Sequence, residues 1–216
     1  CQTGNECRIQ YGKNINGMTY GNVLRTTRGG GSYGGVGGHA ALTDVYGSFT
    51  NPSELGSGGE GDYNSYWGTA LGGNGGGLVR ITADMLLLDG AIRANGGGGQ
   101  VMSGGYTSDG GSGGGIRLDV GRLVGTGSIS AKGGNAPTTY GGGGGGGRIA
   151  VYYEDMSGFP VENIVSNGGV GQVNGDAGTI YVQSRNEYSA FIGALSIPWT
   201  RFVVDPVNVI VGNYTF

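Results

Sequence analysis

Charged residues make up only 12% of this chain of 216 residues, histidine occurs once, cysteine twice and proline five times. Each shortage excludes something. So little charge is not the mark of a chain held open by its own solvated charges. Twelve Lys and Arg stand against fifteen Asp and Glu, scattered and with a net charge of −3, so there is no basic footprint for nucleic acid. Two cysteines and one histidine cannot complete a four-ligand zinc centre. No run approaches the roughly 20 apolar residues of a membrane span. Scarce proline and the lack of a third-residue glycine period exclude collagen. No secretory leader is legible, which leaves a mature chain or a piece of a longer one as the expectation.

What the chain does have is glycine, at 54 of 216 residues, several times the usual share of roughly 7%. Blocks of Val, Ile and Leu are set regularly between the glycine runs, which is not the composition of a flexible linker. The blocks repeat. Val79-Arg-Ile-Thr-Ala-Asp-Met-Leu-Leu-Leu-Asp-Gly-Ala-Ile-Arg-Ala-Asn-Gly-Gly97 aligns without gaps onto Ile116-Arg-Leu-Asp-Val-Gly-Arg-Leu-Val-Gly-Thr-Gly-Ser-Ile-Ser-Ala-Lys-Gly-Gly134. A looser copy runs from Ile149–Tyr153 to Ile164–Gly169, and a clipped one covers Gly178–Gln183. Spacings of about 31 to 38 residues belong to repeat arrays, in which one unit cannot bury its apolar face alone.

Within a repeat, Val79, Ile81 and Ala83 alternate with Arg80 and Thr82, which is the period of a half-buried strand. Asp84, or Gly121 in the next copy, is expected to break that strand, with Leu86–Leu88 and Ala91–Ala94 as further short runs. The expected fold is therefore all-β, a β-helix or β-solenoid-like stack of short strands with glycine-rich layers. The glycine runs admit two outcomes, mobile loops or extended polyglycine-II-like runs that hydrogen-bond to one another. The second is favoured, because rings such as Tyr33 and Tyr140 beside the runs would bury area over them. Three zones follow: an N-terminal cap or connector (1–28), a glycine-rich body (29–183), and an apolar C-terminal strand segment (184–216) suited to contact between subunits.

Candidate chemistry is sparse. His39 would have to serve any Ser-His-Asp site, and it reads as a loop histidine. Glu60 with Asp62, and Glu154 with Asp155, are the carboxylate pairs a glycan-cleaving enzyme would use, although neighbours on a strand point to opposite faces. The Glu60–Asn64 run starts like a calcium loop but has Ser65 and Leu71 where Gly and Glu are needed. No metal and no cofactor is expected. Cys1 and Cys7 leave three readings open: a local disulfide, pairing outside this chain, or a lipidated Cys1. Asn213-Tyr-Thr215 is a glycosylation sequon. Tyr63, Tyr66 and Trp67 form a candidate platform for stacking sugars, with packing over glycine as the plainer reading.

Gly29–Gly38, Gly115–Val120 continuing through Gly134, and Gly147–Tyr153 together resemble the glycine-rich repeat regions of very large secreted surface proteins of bacteria and protists, mastigoneme-like flagellar hairs among them. The resemblance covers about residues 29 to 183. It implies an extracellular or cell-surface scaffold, adhesin or filament component, and it supplies no catalytic residue. The leading expectation is a secreted structural protein that self-associates head to tail. Behind it stand an adhesive, glycan-binding module, a β-helix polysaccharide-degrading enzyme and, last, an ice-binding surface.

Overall fold

The computed structural model describes residues 29–40, 45–64, 68–101, 105, 107–137, 140–185 and 190–191. The described chain forms eleven strands and a single 3-10 turn, Val161–Asn163. The strands are β1 (Asp62–Asn64), β2 (Gly68–Ala70), β3 (Leu78–Leu87), β4 (Ala91–Arg93), β5 (Gly115–Val124), β6 (Ser128–Ser130), β7 (Arg148–Tyr153), β8 (Asp155–Gly158), β9 (Ile164–Val165), β10 (Thr179–Ser184) and β11 (Ala190–Phe191). They form a six-stranded sheet in the order β11-β10-β7-β5-β3, with β8 also on β5. A three-stranded sheet, β4-β6-β9, and the pair β1-β2 complete the set.

The gapless sequence alignment is also the register of these sheets. Val79 pairs with Ile116, Arg80 with Arg117 and Leu86 with Leu123 along the parallel β3–β5 pair, and Ile92 pairs with Ile129 between β4 and β6. The looser copies continue it: Ile116 pairs with Ile149, and Ile149 with Ile180. A two-residue period sends Ile116, Leu118 and Val120 to one side of β5, where they meet Ile149, Val151, Ile180 and Val182 from its neighbours and Ile129 and Ile164 from the smaller sheet. Fully burying each such side chain contributes about 1.5–3 kcal/mol. The core therefore lies between the two parallel ladders.

The expectation of a β-helix or β-solenoid-like stack of short strands is corrected here. The strands gather into separate sheets of mixed direction: β2 runs antiparallel to β1, and β11 antiparallel to β10. The result is a sheet-rich fold with almost no helix. Moreover, β3 and β5 are ten residues long and run through Asp84 and Gly121, which were expected to break them. The reason is a one-residue slip. On β5 the buried positions are 116, 118, 120 and then 123, so Gly121 and Arg122 both turn outward; on β3 Asp84 and Met85 do the same. The β3–β5 register holds on both sides and omits only the Asp84–Gly121 pair. An extra residue absorbed in this way bends a strand without ending it.

The glycine runs are ordered by hydrogen bonds to one another. Along Asp109–Gly114 successive amides go in rotation to three neighbouring segments. Asp109 and Ser112 donate to Glu60 and Ser57, Gly110 and Gly113 to Gly142 and Gly145, and Gly111 and Gly114 to Gly97 and Ala94. Their carbonyls accept from Gly73, Gly31, Gly134, Gly76 and Arg148. Every third amide meeting the same neighbour is the signature of an extended helix of three residues per turn, which makes no bonds within itself. Residues 143–147 repeat the rotation, with Gly143 and Gly146 donating to Val173 and Asp176, Gly144 and Gly147 to Gly134 and Ala131, and Gly145 to Gly31.

Such contacts require backbones to touch. A methyl group at Gly144 would overlap the carbonyl oxygen of Gly111, whereas one at the exposed Gly77 would meet nothing within 4 Å. Overpacking against a rigid neighbour costs about 1–3 kcal/mol or more, so Gly144→Ala is expected to lower the unfolding free energy by about 3 kcal/mol. Gly77→Ala should leave it within about 1 kcal/mol, shifted upward if at all, because it only narrows the unfolded ensemble. Urea unfolding midpoints of the two variants check this. Equal loss in both would mean that the close approach is not what demands glycine.

Candidate functional site

Two features of the sheet stand out: the face turned away from the core, and the edge formed by β3. The outer face carries alternate residues of β5, β7 and β10. Residues 45–55 cross it. The Thr50 carbonyl accepts the Tyr152 hydroxyl at 2.7 Å, and Asn51 Oδ1 accepts from Arg80 at 3.1 Å and Arg117 at 2.9 Å. Phe49 and Tyr152 pack against Tyr181 with ring centroids 5.7 Å apart in both pairs, and the Arg117 guanidinium lies 4.6 Å over the Tyr152 ring. Burial pushes the Tyr152 phenol upward, opposed by the nearby Arg117 charge. Asp119 is paired with both Arg117 and Arg185, and Arg185 also approaches Glu154 at 3.8 Å. These half-exposed pairs fix side-chain geometry and contribute little energy each, about 0–1 kcal/mol.

Next to this face, Arg148 is an anchor rather than a reactive group. It is buried, its Nε donates to the Tyr46 carbonyl at 2.8 Å, its Nη1 donates to Thr179 Oγ1 at 3.2 Å, and its guanidinium stands 5.5 Å from the Tyr33 ring. Tyr33 is wholly buried and packs on Tyr46 at 4.8 Å. Burial pushes its phenol up to about 12, partly offset by the Arg148 charge.

The β3 edge is different. Among the described strands, β3 has a neighbour on one side only. Its inward residues Val79, Ile81, Ala83 and Leu86, with Ile92 of β4, are partly covered, whereas their mates Ile116, Leu118, Val120, Leu123 and Ile129 are fully buried. Its outward residues include large apolar ones: Leu78, Met85 and Leu87 are 37%, 56% and 62% exposed. Exposed Arg80 and Asp84 alternate with them. A long uncovered strand with apolar side chains is a template for pairing with another chain, and β3 carries neither Lys nor Pro to discourage it.

Comparisons with protein-family models, curated proteins and solved structures gave no match. The chemistry therefore rests on the residues themselves.

Most of the candidates read from the sequence lie elsewhere. Cys1, Cys7, Tyr66, Trp67 and Asn213 lie outside the described residues; Tyr63 is placed only by its backbone, in β1 opposite Thr69. His39 is exposed, with φ 63° at a turn that closes when Ala40 donates to the Gly37 carbonyl. Glu60 is buried in the glycine bundle, where its carbonyl accepts the Asp109 amide. Glu154 and Asp155 do not converge on one substrate. Asp155 binds Arg122 at 3.1 Å and the Ser157 hydroxyl and amide; the Ser157 bonds, with help from Arg122, hold its carboxyl below the usual range, while Glu154 faces Arg185. No group of three or more potential metal ligands occurs among the described residues. No described helix is long and apolar enough to cross a membrane. Sequence reasoning missed Arg148, Asp109 and the β3 edge. The signal for the edge was present, since the first of several in-register repeats has a repeat neighbour on one side only.

The Tyr33 environment has a pH signature. A phenol raised from 10.0 to about 12 by folding leaves stability intact below about pH 10 and removes it as pH rises through 12, at up to about 1.4 kcal/mol per pH unit. Unfolding free energy is expected to fall across that window. The Tyr33→Phe variant should fall less steeply; identical slopes would show that Tyr33 does not carry the effect.

Proposed function

We propose that this chain is a structural building block of an extracellular filament or cell-surface matrix, with a self-associating rather than catalytic role. One observation carries the reading: the apolar β3–β4 edge, whose residues are half covered where their sequence mates are fully buried. In a repeat array such an end is completed by a neighbour, and a lone subunit retains the exposed apolar area. The resemblance to glycine-rich regions of large secreted surface proteins points the same way. So does the construction of the glycine runs, in which backbone is bonded to backbone.

Electron microscopy of the purified chain over a range of concentrations tests this. Regular fibres or sheets that grow with concentration are expected. Discrete single particles at every concentration, with specific glycan binding lost on Trp67→Ala, would replace the scaffold reading with that of an adhesive module.

A further inference from the structure

We infer that the partner of the β3 edge is the β3 edge of a second copy of this chain, paired antiparallel about a two-fold axis at Thr82. This names the partner in the self-association proposed above and rests on that reading. Pairing β3 with itself around Thr82 sets Ile81 against Ala83 of the second copy, both inward, and Arg80 against Asp84, both outward and of opposite charge. By symmetry each pair forms twice. At the next step the slip becomes useful. Asp84 and Met85 both face outward, so together they oppose the single Arg80 of the second copy, as the two residues of a bulge oppose one. The register then continues with Val79 against Leu86, both inward, and Leu78 against Leu87, both outward and apolar.

All ten residues of β3 find partners on the matching face, and of these only Met85, set beside Asp84 against Arg80, lacks a partner of its own character. Neighbouring centres do worse. Centring on Ile81 sets Leu78 against Asp84 and Met85 and leaves 86 and 87 unpaired; centring on Ala83 sets Arg80 against Leu87 and leaves 78 and 79 unpaired. Opposite charges and apolar pairs directly across a ladder each contribute favourably, and like charges there are unfavourable. The joint also covers the half-exposed Val79, Ile81, Ala83 and Leu86, completing the core at its open end.

A parallel, head-to-tail continuation of the six-stranded sheet fits less well. At its opposite end β11 already occupies Val182 and Gln183 of β10, and it runs antiparallel. A two-fold contact needs only one self-complementary patch.

Sedimentation equilibrium of the full chain tests the register. Below the concentrations at which fibres form, a dimer is expected for the unaltered protein. Arg80→Glu and Asp84→Arg should each weaken it at least about tenfold by opposing like charges, and the double variant, which restores both pairs with signs exchanged, should dimerise as the parent does. Both residues are exposed, so circular dichroism should confirm unchanged folding in each variant. On mild oxidation, Thr82→Cys should give a dimer in which the two introduced thiols are joined to each other, the linked peptides being identified by mass spectrometry. A monomeric parent, a double variant no better than the single ones, or crosslinking that bypasses position 82 would overturn the inference. If fibres persist in the single-charge variants and the link at position 82 is missing, this joint alone is wrong; if the parent forms neither fibres nor dimers, the scaffold reading falls with it.

Discussion

Backbone hydrogen bonds between glycine-rich segments hold this molecule in its shape, and at the closest approaches, such as Gly144 against Gly111, they need a residue without a Cβ. Fixing glycine costs about 0.5–1 kcal/mol more than fixing alanine. A satisfied backbone bond returns a net of about 0.5–1.5 kcal/mol, and a buried amide left unsatisfied costs about 1–3 kcal/mol. A glycine run in water is therefore a poor candidate for order, and one surrounded by other runs is a good one. Asp109–Gly114 has such surroundings, with donors or acceptors from six separate stretches of the chain. The segments stabilise one another collectively, and the strands profit. Glycine segments lead into β3, β5, β7 and β10, so fixing the segments fixes the spacing at which Ile116, Ile149 and Ile180 meet.

The few side chains inside the glycine region sit where the backbone pattern needs completing. The Asp109 carboxylate accepts the amides of Gly29 at 3.0 Å and Gly142 at 2.6 Å, and Ser112 Oγ accepts the Ser57 amide at 2.8 Å. Asn95 and Asn135 each accept, at 2.9 Å, the backbone amide of a residue about one repeat further on, Lys132 and Val170. Polar side chains here extend the bonding of the main chain rather than converge on a substrate. The ion pairs of Asp119 with Arg117 and Arg185, and the approach of Arg185 to Glu154, lie on the outer face, and that of Arg122 with Asp155 lies at a slip position.

Much of the pairing could be read from the sequence. Two blocks that align without gaps are adjacent strands in that very register, and the inward residues of β5 follow the alternation Ile116, Leu118, Val120. Periodicity reports such facts because burial imposes them on each residue. Three things were not legible. The slip at Asp84–Met85 and Gly121–Arg122 looked like a strand end, because a polar residue or glycine in an apolar run marks a break and an accommodated bulge alike. The antiparallel returns of β2 and β11 carry no repeat signature, and with them the expectation of one continuous winding failed. The partners of each glycine run were hidden as well, since identical glycines give no pattern to match. Of the candidate site, the β3 edge was missed, although counting repeats gives the first of them a repeat neighbour on one side only. Its self-complementarity needed the slip, and so needed the structure.

Native-state hydrogen exchange measures the central claim most directly. If the glycine lattice is the frame on which the strands depend, the amides of Gly110, Gly111, Gly113, Gly144, Gly145 and Gly147 should exchange only through global opening, as slowly as the core amides of Leu118 and Val151. Fast exchange of those glycines alongside protected core strands would show that the runs are passengers and that the hydrophobic core alone sets the fold.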